Sequence, residues 1–353
     1  MIHKTRQRKA VLQTNTALDA PPPDMSRRRA LGVLAASSLA LLSANSAAAP
    51  APVQWQGLVL GAPAVITLHH PDKTRSEAAL LAVRAEIDSL ELVFSLFRED
   101  SAVSRMNRDG ELDPAPEALL QVLDRCRELH DASDGAFDPT VQPLWKLYAE
   151  HYRTVRATAE GPSQTSLDIA LRRIGFRRLL RDGSSLQCRG TQLTFNGIAQ
   201  GYLTDRARAI LAAHGLPHAL INLGEFRALG TRPDGTAWRL AVAHPELPWR
   251  TLAEVQLPAD TALATSAAMG TAFDSHARNH HLFDPRTGRS VQGWRSVTVQ
   301  AADATLADGL STALAVAAPA DAARILARFP GTGALLLGHD DKLRNIGNRI
   351  IIT

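Results

Sequence analysis

The chain has 353 residues, 45% hydrophobic and 21% charged, with a formal net charge of +4 and two cysteines. In residues 1–49, Lys4, Arg6, Arg8, Lys9, Arg27, Arg28 and Arg29 stand against Asp19 and Asp24, a net of +5, which leaves about −1 for everything after. The basic balance therefore belongs to the start of the chain, and a nucleic-acid-binding reading loses its main support.

The leader comes first in chain order. Ser26-Arg27-Arg28-Arg29-Ala30-Leu31 has the form of a twin-arginine start, Ala30 to Leu42 is a short apolar run, and Ala47-Ala48-Ala49 is a small-residue cleavage region. The run is too short to span a bilayer as a helix, and this layout is that of an export signal. It divides the chain into a signal, residues 1–49, and a mature part, residues 50–353, expected in the periplasm with no stable membrane insertion after cleavage. An N-terminal anchor helix is the alternative, and Met25 is a candidate start. Cys126 and Cys188 lie far from the leader's end, which excludes a lipid-modified N-terminal cysteine. An oxidising compartment permits one disulfide; the apolar neighbours of Cys126 on a helix face favour a buried free thiol.

About 300 mature residues suffice for one large domain or two moderate ones. Ala64 to His69 is a short β-rich run after Gly61. Ser76 is the expected N-cap of a helix reaching about Leu96, with Leu80, Val83, Ile87, Leu90 and Phe94 on one stripe. Leu119, Val122, Cys126 and Leu129 mark a second helix ending before Gly135, and Ser166 to Ile174 a third that stops at Gly175. Residues 151–163 are the least patterned and are expected to be a mobile surface segment. Residues 199–213 read as a helix stopped by Gly215. Strands are expected at Ala219–Leu223, Trp238–Ala243, Ala253–Leu257, Ser296–Gln300, Leu335–Leu337 and Ile350–Ile352. Asp303 can cap a helix through Ala317, and Asp321–Phe329 should be another. Helices early and hairpin-like strands late predict an α+β fold with antiparallel sheets packed against helices.

The capped helix carries the most chemistry. Asp308 and Thr312 are four apart, share a face and can aim a carboxylate and a hydroxyl at one point. Hard oxygens so placed suit Mg²⁺, with substrate phosphates and water completing its shell; the same pair also suits a capping or solvated face. His281 can supply a proton acceptor near neutral pH, or be a core histidine bonded to backbone. His280 would point the opposite way in an extended segment. Asp284-Pro285-Arg286-Thr287-Gly288 is a turn sequence.

Four ordered blocks resemble the FAD:protein FMN transferase (ApbE) family. They are Asp134-Gly135-Ala136-Phe137-Asp138-Pro139-Thr140-Val141 with Pro143-Leu144; Phe195 to Asp205, whose Gly201-Tyr202-Leu203-Thr204-Asp205 is similar to G-Y-x-x-D; His281 to Gly288, similar to H-[IV]-[IV]-D-P-x-T-G; and Ala307 to Thr312, similar to A-D-x-x-[SD]-T. The resemblance covers almost everything after residue 55 and implies a single large ApbE-like, T-fold-related domain. It implies Mg²⁺ held by Asp308, Thr312 and the Gly197 carbonyl, with His281 as base. It implies FAD as substrate, cleaved with release of AMP, and FMN joined to a Thr or Ser of an exported or membrane redox protein. FAD contacts carried over are Leu60, Phe97, Ala136, Phe137, Asp138, Thr194, Gln200 and Leu282. Phe97 would stack on a flavin or adenine ring, or simply continue the stripe begun at Leu80. Departures fall on the pocket rim. Thr194 replaces Asp, Gln200 replaces Lys or Glu, and Leu60-Gly61-Ala62 replaces M-G-T. Gly224-Glu225-Phe226 replaces a G-G-[DN] turn, and Thr265-Ser266-Ala267 replaces T-S-G. These departures keep two other readings open: a non-catalytic FAD-binding or delivery protein, and a Mg²⁺-dependent FAD pyrophosphatase.

Overall fold

A computed structural model describes residues 51–154 and 157–353; the export-signal reading lies outside the described residues. The chain begins with a hairpin, β1 (Val53–Val59) and β2 (Ala62–Leu68), paired antiparallel from Val59↔Ala62 outward. Its two-residue turn has positive φ at both Leu60 (47°) and Gly61 (82°), which matches the right-handed twist of the strands but is unusual for a leucine. Helix α1 (Lys73–Phe94) follows. Its N-cap is Asp72, whose carboxylate accepts the Arg75 N–H, and not Ser76, which is buried in the first turn. It ends at Phe94, short of the expected Leu96, because Ser95 leaves the helix in an extended conformation.

Next come α2 (Ala102–Asp109), β3 (Glu111–Leu112), α3 (Glu117–Ala132), α4 (Gln142–Arg153) and α5 (Gln164–Leu171). Helix α4 extends three residues into the stretch expected to lack pattern, and α5 begins and ends earlier than its expected bounds. Strands β4 (Leu179–Asp182) and β5 (Ser185–Cys188) join β3 in a small antiparallel sheet of order β3-β5-β4.

The second half contains α6 (Ala199–Ala213), β6 (Ala219–Asn222), β7 (Phe226–Leu229), β8 (Trp238–Ala243), β9 (Thr251–Leu257), β10 (Ala262–Ala267), β11 (Ser296–Ala301), α7 (Ala304–Val316), the short α8 (Ala322–Leu326), β12 (Gly333–Leu337) and β13 (Leu343–Gly347). Eight strands form one antiparallel sheet in the order β1-β2-β6-β7-β10-β11-β12-β13. The expected strand at Ile350–Ile352 is only a bridge from Ile352 to Val255, and the last expected helix is limited to α8 and a 3-10 turn before it.

Alternation along the strands builds two cores. Ala262, Ala264, Ala334 and Leu336 face helices α1, α6 and α7, while Leu263, Leu335 and Ala228 face the β8–β9 hairpin, as the two-residue period of a strand requires. Helix α7 is buried on nearly every side, with twelve of its thirteen residues in the core; an Ala/Leu-rich helix apolar all round belongs there. A third cluster of Leu144, Tyr148, Leu167, Ala170 and Phe283 ties α4 and α5 to the segment bearing His281. The α+β class and antiparallel pairing are as the sequence predicts. Cys126 and Cys188 are unpaired and buried, and burial pushes the Cys188 thiol up to about 12. Among the described residues no helix is long and apolar enough to cross a membrane.

Candidate active site

The central sheet opens between β7 and β10. These strands pair only through Ala262↔Arg227 and Leu263↔Phe226, and beyond Leu263 this side of β10 has no neighbouring strand. The Glu225 carboxylate accepts the Thr265 N–H at 3.2 Å, so a side chain supplies the bond that a strand would have made. The opening leads into a cavity of ≈480 Å³. Its walls come from the β1–β2 hairpin (Ala62, Pro63), the segment before α4, the start of α6, the β6–β7 turn, the β8–β9 hairpin, the end of β10, the His281 segment and α7.

Ten of the twelve expected site residues line this cavity: Ala136, Phe137, Asp138, Thr194, Gly197, Gln200, His281, Leu282, Asp308 and Thr312. Leu60 and Phe97 do not. Phe97 is 70% exposed and lies past the end of α1, so it neither continues the helix stripe nor enters the cavity. It sits against the β1–β2 turn, where a Cβ on Gly61 would lie 3.8 Å from its ring. The Leu60 N–H donates to Glu91 Oε1 at 2.9 Å.

Asp308, Thr312 and Gly197 converge. The Thr312 hydroxyl lies 3.4 Å from the Gly197 carbonyl oxygen, and a Cβ on Gly197 would come within 2.8 Å of Thr312 Oγ1. Glycine keeps that gap clear. Asp308 is buried, and its Oδ2 accepts the Gly201 N–H at 3.0 Å. Burial pushes its carboxyl up to about 7 against the lowering effect of that bond, and the Asp205 charge adds to the rise. Among the described residues no three His, Cys, Asp or Glu side chains gather in a metal-binding group. The donors are instead one carboxylate, one hydroxyl and one carbonyl, all hard oxygens, and they fit a cation that takes its remaining ligands from phosphate and water.

The G-Y-x-x-D block has a mechanical explanation. Gly201 is where α6 and α7 touch: a Cβ there would overlap the Ala304 carbonyl and lie 2.9 Å from Asp308 Cβ. Asp205 reaches across to the N-terminus of α7, accepting Ala304 N–H at 2.9 Å, Thr305 N–H at 2.8 Å and the Thr305 hydroxyl at 2.6 Å. Together with the Asp303 cap on Leu306 N–H, it satisfies donors that a helix start leaves unpaired. The block therefore holds in place the helix that carries Asp308 and Thr312.

His281 Nδ1 lies 3.1 Å from the Thr271 carbonyl oxygen. A carbonyl only accepts, so the neutral ring carries its proton on Nδ1 and its lone pair on Nε2. His280 faces the other way, fully buried with Nε2 on the Val291 carbonyl at 2.7 Å, and burial lowers its pKa. Asp138 spends its Oδ1 on Thr140, accepting the N–H at 2.8 Å and the hydroxyl at 2.6 Å. It shapes the cavity wall as much as it faces a ligand.

Sequence reasoning missed Glu225 except as a departure from a turn pattern. It is a third buried acid in the cavity beside Asp138 and Asp308, its pKa raised well above the usual range by burial and by the Asp308 charge. Nothing in its neighbours signals this, because the Thr265 N–H that it binds is forty residues away.

A helix-backed antiparallel sheet, opened around a cavity lined by three carboxyl groups, two histidines and a cradle of hard oxygens, defines an α+β protein with a ligand site able to take a cation. The chain belongs to the ApbE family, whose profile matches residues 60–336. It is 31% identical over 289 residues to the FAD:protein FMN transferase of Treponema pallidum, covering 76% of this chain and 79% of that one. It is 30% identical over 229 residues to that of Vibrio cholerae, covering 63% and 68%. The apo crystal structure of the Pseudomonas stutzeri flavinyl transferase ApbE superposes with a TM-score of 0.68 at 27% identity over 85% of this chain and 97% of that one. The Thermotoga maritima ApbE protein does so with 0.73 at 27% identity, over 83% and 96%.

Proposed function

We propose that this chain is an FAD:protein FMN transferase that works with Mg²⁺ or a similar hard divalent cation held by Asp308, Thr312 and the Gly197 carbonyl. The observation that carries the reading is the charge of the cavity. Asp138, Glu225 and Asp308 line it, and among the described residues no lysine or arginine does. Burial holds Glu225 well above the usual carboxyl range and Asp308 at about 7, so a pyrophosphate entering this wall finds no lysine or arginine to neutralise it and repels whichever carboxyls ionise. A bound divalent cation would neutralise the bridging and leaving oxygens there.

In the reaction the FAD pyrophosphate bond breaks, AMP leaves, and the FMN phosphorus bonds to the Oγ of a Thr or Ser on an acceptor protein. His281 Nε2 takes the hydroxyl proton, with Nδ1 anchored on the Thr271 carbonyl. Gly201 and Asp205 keep α7 in register, so that Asp308 and Thr312 stay opposite Gly197. The twin-arginine-like start and the redox character of the expected acceptor support work in the periplasm on an exported or membrane redox protein.

The test is incubation of the mature chain with FAD, MgCl₂ and a Thr-bearing flavin-acceptor domain. Covalent flavin fluorescence on the acceptor, abolished by EDTA, is expected. Free FMN without labelling would make the chain a pyrophosphatase, unchanged bound FAD would make it a delivery protein, and labelling that persists in EDTA would remove the cation.

A further inference from the structure

The end of β10 brings a hydroxyl to the cation cradle that the mechanism above does not use. Ser266 is half-buried, with its Oγ 2.7 Å from Ser311 Oγ and 3.3 Å from Thr312 Oγ1. Ser311 in turn donates to the Asp308 carbonyl at 2.9 Å. Each hydroxyl has one proton and two lone pairs. The Ser311 proton goes to the Asp308 carbonyl, so the short Ser266–Ser311 bond takes the Ser266 proton. Ser266 then meets Thr312 only as an acceptor.

The Thr312 proton has two acceptors within reach, the Gly197 carbonyl at 3.4 Å and Ser266 Oγ at 3.3 Å. Directed at Gly197, it lies between the two oxygens that would share a cation. Directed at Ser266, it leaves the Thr312 lone pair and the Gly197 carbonyl both available. We propose that Ser266 is a positioning residue for the cation site: it accepts the Thr312 hydroxyl proton and so turns a lone pair of Thr312 toward Gly197 and Asp308. The inference rests on the cation site of the preceding section. It also gives a reason for β10 to run past its last pairing with β7, since only that extension carries Ser266 to α7.

The experiment is titration of Mn²⁺ into the full chain, followed by electron paramagnetic resonance, with FAD present and acceptor protein absent. The wild type should bind Mn²⁺ and Asp308→Ala should not. Ser266→Ala should bind about 10–100-fold more weakly, the usual cost of losing a partner that orients a ligand. Ser266→Thr keeps the hydroxyl and should stay close to wild type. Ser266→Val, which matches threonine in shape, should behave like Ser266→Ala and repeats the test should alanine loosen the fold. Thermal midpoints in EDTA should be the same for the wild type and the Ser266 variants. Undiminished Mn²⁺ binding by both Ser266→Ala and Ser266→Val would overturn the role of Ser266 and leave the cation site standing. Equal weakness in Ser266→Thr would overturn it too, by assigning the effect to packing. Absence of binding by the wild type, or undiminished binding by Asp308→Ala, would overturn the site itself and this inference with it.

Discussion

His281 is the residue on which transfer, as distinct from binding, depends. Asparagine in its place fills similar space and can still bond to the Thr271 carbonyl, but it has no basic nitrogen. His281→Asn should therefore leave FAD affinity roughly unchanged and slow FMN transfer by about 10²–10⁴-fold, the range for a lost general base. Transfer to a Thr-bearing acceptor, measured beside FAD affinity, decides this: intact transfer would make His281 structural, and lost FAD binding would make it a pocket wall. The individual residues were unevenly legible in the sequence. Asp308 and Thr312 were readable because they sit one helical turn apart, a local relation that spacing reveals. Ser266 and Glu225 act across the fold, on Thr312 and on Thr265, and no spacing encodes those partners. Phe97 shows the opposite error, since an aromatic three residues after Phe94 resembles the next helical step until Ser95 ends the helix.

At the scale of elements, α1, α3, α6 and α7 were legible because each carries a stripe or run of apolar residues with a stop beside it. Helix α2 was not, since only Ala102, Val103 and Met106 of its eight residues are buried. Strand β10 was hidden for another reason: its Ala-rich sequence has little strand preference, and pairing with β11 along its whole length imposes the conformation. The contact between α6 and α7 is the tightest element-level demand on the site. Gly201→Ala would force a methyl group into the Ala304 carbonyl, which belongs to backbone and cannot rotate away. Overpacking of this kind costs about 1–3 kcal/mol. Because Gly201 N–H also orients Asp308, the variant should lose Mn²⁺ affinity as well as thermal stability. Retention of both, by calorimetry and metal titration, would show that the helices separate without harm.

At the scale of the molecule, the predicted export route can be examined directly. Lysine keeps the charge of Arg27 and Arg28 but not the guanidinium pair, so the Arg27→Lys/Arg28→Lys precursor should accumulate in the cytoplasm. Fractionation showing wild-type yield in the periplasm would overturn twin-arginine export. The layout of the cavity carries a consequence for how the protein matures. Its walls are drawn from stretches running from Ala62 to Val316, and the two halves of the central sheet meet beside it through only two residue pairs. Contacts between such distant parts form late, after most of the chain's entropy has been lost. A piece of the chain that ends before Val316 lacks part of the wall and cannot form the whole cavity. Capture of the dinucleotide therefore reports that parts of the chain as far apart as Ala62 and Val316 have come together.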